Sequence, residues 1–174
     1  MNKETLETLV EKESQKSSIT SKDIPDLDLY MDQIMTLFET HLANHKKNED
    51  DKLLTKTMIN NYSKAKVITP VKGKKYTKEQ IIYQLKNNLS IQEIKDLLTP
   101  IYENNDDLSN LYDHFIDIKH SLNFQLQKMI QKIMDDYQLK IENYQDLFLL
   151  VAILSSLSHS LTNIAEMLIE TKEI

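Results

Sequence analysis

A chain of 174 residues with 40% apolar side chains can bury one core, or the core of a small domain with an extension. One glycine and three prolines leave too few turns for an all-β fold, and the absence of cysteine excludes disulfides, thiolate-bound zinc and thiol catalysis. The formal net charge is −6, and all 21 basic residues are lysine. The N-terminal "MNKETLETLVEKESQKSS" lacks a signal-peptide core. The most apolar run, Leu147 to Leu157, is shorter than the ~20 residues that span a bilayer. The expectation is a soluble cytoplasmic protein with no membrane segment.

Residues 1–22 are polar and weakly patterned and are expected to form a flexible arm, with or without one short helix. Tyr30, Ile34, Leu37, Phe38 and Leu42 recur at helical spacing and predict a helix over 27–46. "KKNEDDK" is a loop. In "LLTKTMINNYSKA", Leu54, Met58, Ile59 and Tyr62 fall on one side of a short helix, with Lys56, Thr57, Asn60, Asn61 and Lys64 on the other. Thr55 is its N-cap. "KVITPVKGKKYT" reads as a β-hairpin: Val67–Ile68 and Lys75–Tyr76 are the strands, and Gly73 supplies the positive φ. Thr77 to Gln80 and Ser90 to Glu93 are capping boxes, opening helices at about 78–88 and at 91, with Thr99-Pro100 closing the second. Leu108, Leu111, Phe115, Ile118, Leu122, Leu126, Met129, Ile133 and Tyr137 are spaced by threes and fours, which predicts a long helix with a dimerisation seam. A second long helix runs from Tyr144 to Glu170 after the turn "DDYQLKIEN". These apolar faces are wider than two helices bury, so a homodimer on residues 105–170 is expected.

The positive charge is concentrated. From Lys52 to Lys78 there are eight lysines and no Asp or Glu. That leaves −14 for the rest of the chain (−6 minus +8). Phosphates attract lysine irrespective of sequence, and the acidic remainder would turn this face towards double-stranded DNA. The order helix, loop, short polar-fronted helix, basic hairpin, helix, helix matches a winged helix-turn-helix. The expected fold is therefore mainly α. A winged helix-turn-helix with a small β-hairpin wing occupies 23–100, and a long antiparallel helical hairpin for dimerisation or sensing occupies 101–174. The candidate DNA-binding residues are Lys56, Thr57, Asn60, Asn61, Tyr62, Lys64, Lys66, Lys72, Lys74, Lys75, Tyr76 and Lys78. An Asn pairs with adenine and a Thr methyl touches thymine. Without arginine, specificity leans towards A·T pairs.

"INNYSKAKVITP", "KKYTKEQ" and "LSIQEIKDLL" resemble the MerR-type DNA-binding domain over about residues 25–98. Ile59, Tyr62, Ile68, Pro70, Tyr76 and Ser90 to Ile94 fall on that family's marks. "LTKTMINNY" and "KKYT" are closer still to a bacterial family of unknown function regarded as MerR-like. The resemblance implies a winged-helix DNA-binding protein, with Tyr62 and Tyr76 touching phosphate or supporting the wing. It also implies a following long helix that dimerises as an antiparallel coiled coil. The chain departs from the MerR pattern at Asn60 and Asn61, which replace Arg and Tyr, and at Lys66, which replaces the wing-opening Gly.

Other constellations carry less. His41 and His45 have i, i+4 chelate spacing, but only Glu49, Asp50 or Asp51 offers a third ligand, so no metal is expected. Asp113, His114 and Asp117 lack an accompanying nucleophile. Ser155, Ser156, Ser158, His159 and Ser160 thin one helix face. With no phosphate loop or dinucleotide fingerprint, neither an enzyme nor a cofactor is expected, and no effector is legible. Two functions remain: a dimeric transcriptional regulator, and a protein-interaction adaptor that reads no specific DNA.

Overall fold

The computed structural model describes residues 3–25, 29–68, 86, 88–104 and 106–171. Among them lie six α-helices: α1 (Lys3–Ser14), α2 (Met31–His41), α3 (Lys56–Lys64), α4 (Ile91–Glu103), α5 (Leu108–Asp136) and α6 (Tyr144–Thr171). Two one-turn 3-10 helices cover Ser21–Asp23 and Ala43–His45. The chain divides into two compact units. One comprises Ser17–Ile116 with Leu168–Ile174, and the other Met1–Lys16 with Asp117–Met167.

The first unit has one core. Ile34, Phe38 and Leu42 at fourfold spacing, Ile59 and Tyr62 of α3, and Ile94 and Leu98 of α4 are all buried in it, together with Ile19. Each set is the apolar stripe of a helix turned inwards. The ends of α4 show why the chain turns helical where it does. Ser90 Oγ accepts from the Glu93 amide at 3.2 Å, and the Glu93 carboxylate accepts from the Ser90 amide at 2.6 Å. These bonds hold the Glu93 carboxyl below its ordinary range, the side-chain bond with Ser90 being the main cause. The helix does not close at Thr99-Pro100 as expected; it runs through Pro100 to Glu103. Proline cannot donate to the carbonyl four residues back. The extra turn nevertheless brings Ile101 and Tyr102 against the core.

The expectation of a winged helix-turn-helix is overturned. Every regular element among the described residues is helical, and none of these residues forms a strand or sheet. Val67 and Ile68, expected to begin the wing, are not a strand: they are core residues. The reason lies in how α3 ends. Lys66 has φ +58°, and the Val67 amide reaches back to the Tyr62 carbonyl at 3.0 Å. That is a Schellman closure, with the residue after it turned inwards. Two β-branched residues in a row resemble a strand, but the closure drives them into the core. The rest of the expected hairpin, including Gly73 and Lys75–Tyr76, lies outside the described residues, as does the helix expected at 78–88 apart from residues 86 and 88, which are turns. The turn between α2 and α3 also differs from a helix-turn-helix. It runs from residue 42 to residue 55, fourteen residues against the usual three or four.

The second unit is built on α1, most of α5 and most of α6. Leu6, Ile130, Met134, Leu139, Ile141 and Leu150 form its core, with Val10 packed against it. The end of α5 repeats the device that ends α3. Gln138 has φ +54°, the Leu139 amide bonds the Met134 carbonyl at 2.9 Å, and Leu139 is buried. Asn123 Nδ2 donates to the Ser14 carbonyl at 2.7 Å and fixes the end of α1. Along α5 the most deeply buried residues are Leu108, Tyr112, Ile116, Ile130 and Met134. Of the expected seam, Leu108 is buried and Leu126 and Ile133 are half-buried, while Leu111, Phe115, Ile118, Leu122 and Met129 are exposed. On α6, apolarity does not stop at Leu157. Over its 28 residues α6 is long and apolar enough to cross a membrane, by length and composition alone. The apolar length of the helix thus exceeds Leu147–Leu157: the serines from Ser155 interrupt the apolar run, but the helix continues through Leu161, Ile164 and Leu168.

Candidate nucleic-acid interface

The short helix α3 is positioned from both ends. At its start, the Met58 amide donates to Thr55 Oγ1 at 3.2 Å, which satisfies one of the free amides of the first turn. At its end, the closure at Lys66 seals the last carbonyls. Ile59 and Tyr62 anchor its back in the core. The front is thereby forced outwards: Lys56, Thr57, Asn60, Asn61, Ser63 and Lys64 are all exposed, as is Lys66 just beyond.

The loop leading into α3 is held by polar contacts rather than by repeating structure. Glu39 of α2 forms an ion pair with Lys46 and also accepts from the Leu53 amide at 3.4 Å. Its carboxyl is held below the usual range, first by Lys46, against some desolvation. Lys86 Nζ donates to the Leu53 carbonyl at 2.8 Å. Burial lowers the pKa of Lys86 from the ordinary lysine value. Asp51 caps the turn by accepting from the Asn48 amide at 2.9 Å and the Lys47 amide at 3.1 Å. These contacts deliver Leu53 and Leu54 to the core immediately before the helix begins.

The electrostatics of the front are nearly one-sided. Lys52, Lys56, Lys64 and Lys66 all have exposed side chains. Lys56 Nζ meets Asp32 Oδ1 at 2.8 Å, with both side chains well exposed. Such a surface pair is worth little and exchanges readily for phosphate. Tyr62 lies apart from this front. It is 7% exposed and burial raises its phenolic pKa, so its ring supports the helix from behind. Lys72, Lys74, Lys75, Tyr76 and Lys78 lie outside the described residues. The structure thus brings Lys56, Thr57, Asn60, Asn61 and Lys64 onto one exposed helix face. The anchoring by Glu39, Lys46 and Lys86 had no sequence signal, because its partners are 7, 14 and 33 residues apart.

Elsewhere, His45 and Asp113 are held by polar contacts. His45 Nε2 lies 2.6 Å from the Ser17 carbonyl. Asp113 accepts from the Ser21 amide at 2.8 Å and pairs with the Ser21 hydroxyl. Among the described residues no three His, Asp or Glu side chains are grouped to hold a metal ion. A groove of about 460 Å³ in the second unit is lined by Leu6, Val10, Phe124 and Met134 and carries Glu7, Glu11 and Lys128.

A family model described as "Domain of unknown function (DUF1836)" matches residues 19–115, more than half of the chain. No curated protein and no solved structure matches the chain.

Proposed function

The chain belongs to the DUF1836 family, whose description assigns no activity, and on that premise we propose that it binds double-stranded DNA as a transcriptional regulator, through the front of α3 and the lysines that follow it. The observation that carries this reading is the exposed face of α3, with two Asn, one Thr and two Lys and no acidic side chain of its own. It lies within a stretch of eight lysines free of Asp and Glu, in a chain of net charge −6. A short helix fixed from behind and polar in front is the kind of element that enters a major groove. Lys64 and Lys66 engage phosphate, and Lys56 does so by leaving Asp32. Lys72, Lys74 and Lys75 add positive charge along the same segment of sequence. The "INNYS" likeness to MerR-type domains supports this use of α3.

Asn60 is the base-reading residue in this scheme. It is exposed and lies one turn from both Lys56 and Lys64. An Asn bridging N6 and N7 of adenine discriminates by roughly 1–3 kcal/mol. Selection from random duplexes should return sites rich in A·T pairs. Asn60→Ala should relax one position per site while leaving non-specific affinity nearly intact. No enrichment by the wild-type chain would favour the adaptor reading. That reading draws on the fourteen-residue α2–α3 connection, which departs from DNA-reading helix pairs.

A further inference from the structure

We infer that α6 is a self-association helix: of the seam Leu150, Leu154, Leu157, Leu161, Ile164 and Leu168, the exposed part from Leu157 onwards pairs with α6 of a second copy of this chain. These residues are spaced 4, 3, 4, 3 and 4 apart, and all are Leu or Ile. That is the alternating core of a heptad repeat, extending about 27 Å along the helix at 1.5 Å per residue. Among the described residues, only the start of this seam is covered. Leu150 is buried against Ile130 and Met134, and Leu154 is half-buried beside them. From there the seam emerges into solvent: Leu161 is 66% exposed, Ile164 53% and Leu168 70%.

The rest of the helix fits the same register. The core-flanking positions are Val151, Ile153, Ser158, Ser160, Ala165 and Met167, none of them charged. Charges at those positions are what set apart different coiled-coil partners and repel like ones. Their absence leaves nothing to oppose pairing of identical helices, and their small or apolar side chains allow close approach. The outward positions between Ser155 and Glu166 are Ser155, Ser156, His159, Thr162, Asn163 and Glu166, all polar. A two-fold interface needs a patch complementary to itself, and an uncharged heptad seam is one. The same polar side chains argue against a bilayer as the occupant. Seven of the nine residues from Ser155 to Asn163 are Ser, His, Thr or Asn, and they fall in the middle of the apolar stretch. Such groups are costly in hydrocarbon. The inference is independent of DNA binding and stands or falls without it.

Light scattering on the full chain at micromolar concentration tests it. The expected mass is a multiple of the chain mass. Leu161→Glu with Ile164→Glu should reduce it to that of one chain while the helical circular dichroism is retained, because both side chains are already exposed. The neutral pair Leu161→Gln with Ile164→Gln should do the same without added charge. Phe148→Glu, at a position 69% exposed but off the seam, should leave the assembly intact. A wild-type chain with the mass of one copy overturns the inference, as does an assembly that survives both double substitutions. A single-copy chain that sediments with vesicles of phosphatidylcholine and phosphatidylglycerol overturns it in favour of a membrane.

Discussion

Phe38→Ala should destabilise the first unit by about 3–5 kcal/mol, the usual cost of emptying a large aromatic site in a core. Phe38 is 1% exposed and shares its core with Ile59 and Tyr62, which hold α3 from behind. Since whole domains are stable by only about 5–15 kcal/mol, the loss takes this unit to the edge of unfolding. DNA binding should fall with it, because the front of α3 exists only while its back is packed. The core of Leu6, Ile130, Met134 and Leu150 shares no residue with the first. Denaturant titration followed by tyrosine fluorescence and by helical circular dichroism should therefore show an early transition for the damaged unit and an unchanged later one. A single transition at the wild-type midpoint would mean that Phe38 is not central to the core.

The second large effect is on charge. Replacing Lys56, Lys64 and Lys66 together with alanine should nearly abolish DNA binding at moderate salt. Each phosphate contact contributes about −0.9 to the slope of log affinity against log salt, so loss of three should flatten it by roughly 2.7. All three side chains are exposed, and none is among the core residues. The variant should therefore melt with the wild type while losing affinity for every sequence alike. Lys66 has a second aspect. It occupies a left-handed conformation that a glycine takes without cost. Retaining a strained lysine there fits a role for its charge.

Local chemistry explains what could be read from the sequence. The Thr55 cap, the Ser90–Glu93 box and the inward stripe of α3 each depend on residues three or four apart, within one turn of helix. The long helices were legible because their apolar spacing persists for some thirty residues. The wing was misread because Val67 and Ile68 carry the same β-branched signature whether they form a strand or fall into a core after a Schellman closure. Among the described non-glycine residues, positive φ occurs at Lys66, Gln138 and Ile141, where no composition rule points; Gly73, the expected site, lies outside the described residues. Pro100 suggested an end to α4 that the packing of Ile101 and Tyr102 overrides. The bracing of the loop before α3 joins residues distant in sequence and leaves no periodic trace. The seam of α6 was present in the sequence, but only the exposure of Leu161, Ile164 and Leu168 marks it as uncovered within one chain.

The proposal that α3 and its lysines bind DNA is tested most directly by titrating the wild-type chain against a labelled random-sequence duplex across a salt series, with fluorescence anisotropy as the readout. The chain should bind at low salt despite its net charge of −6. Log affinity should fall linearly with log salt at several units of slope, as several lysine–phosphate contacts require. Absence of binding at the lowest salt, or an affinity indifferent to salt, would contradict it and leave the adaptor reading in its place.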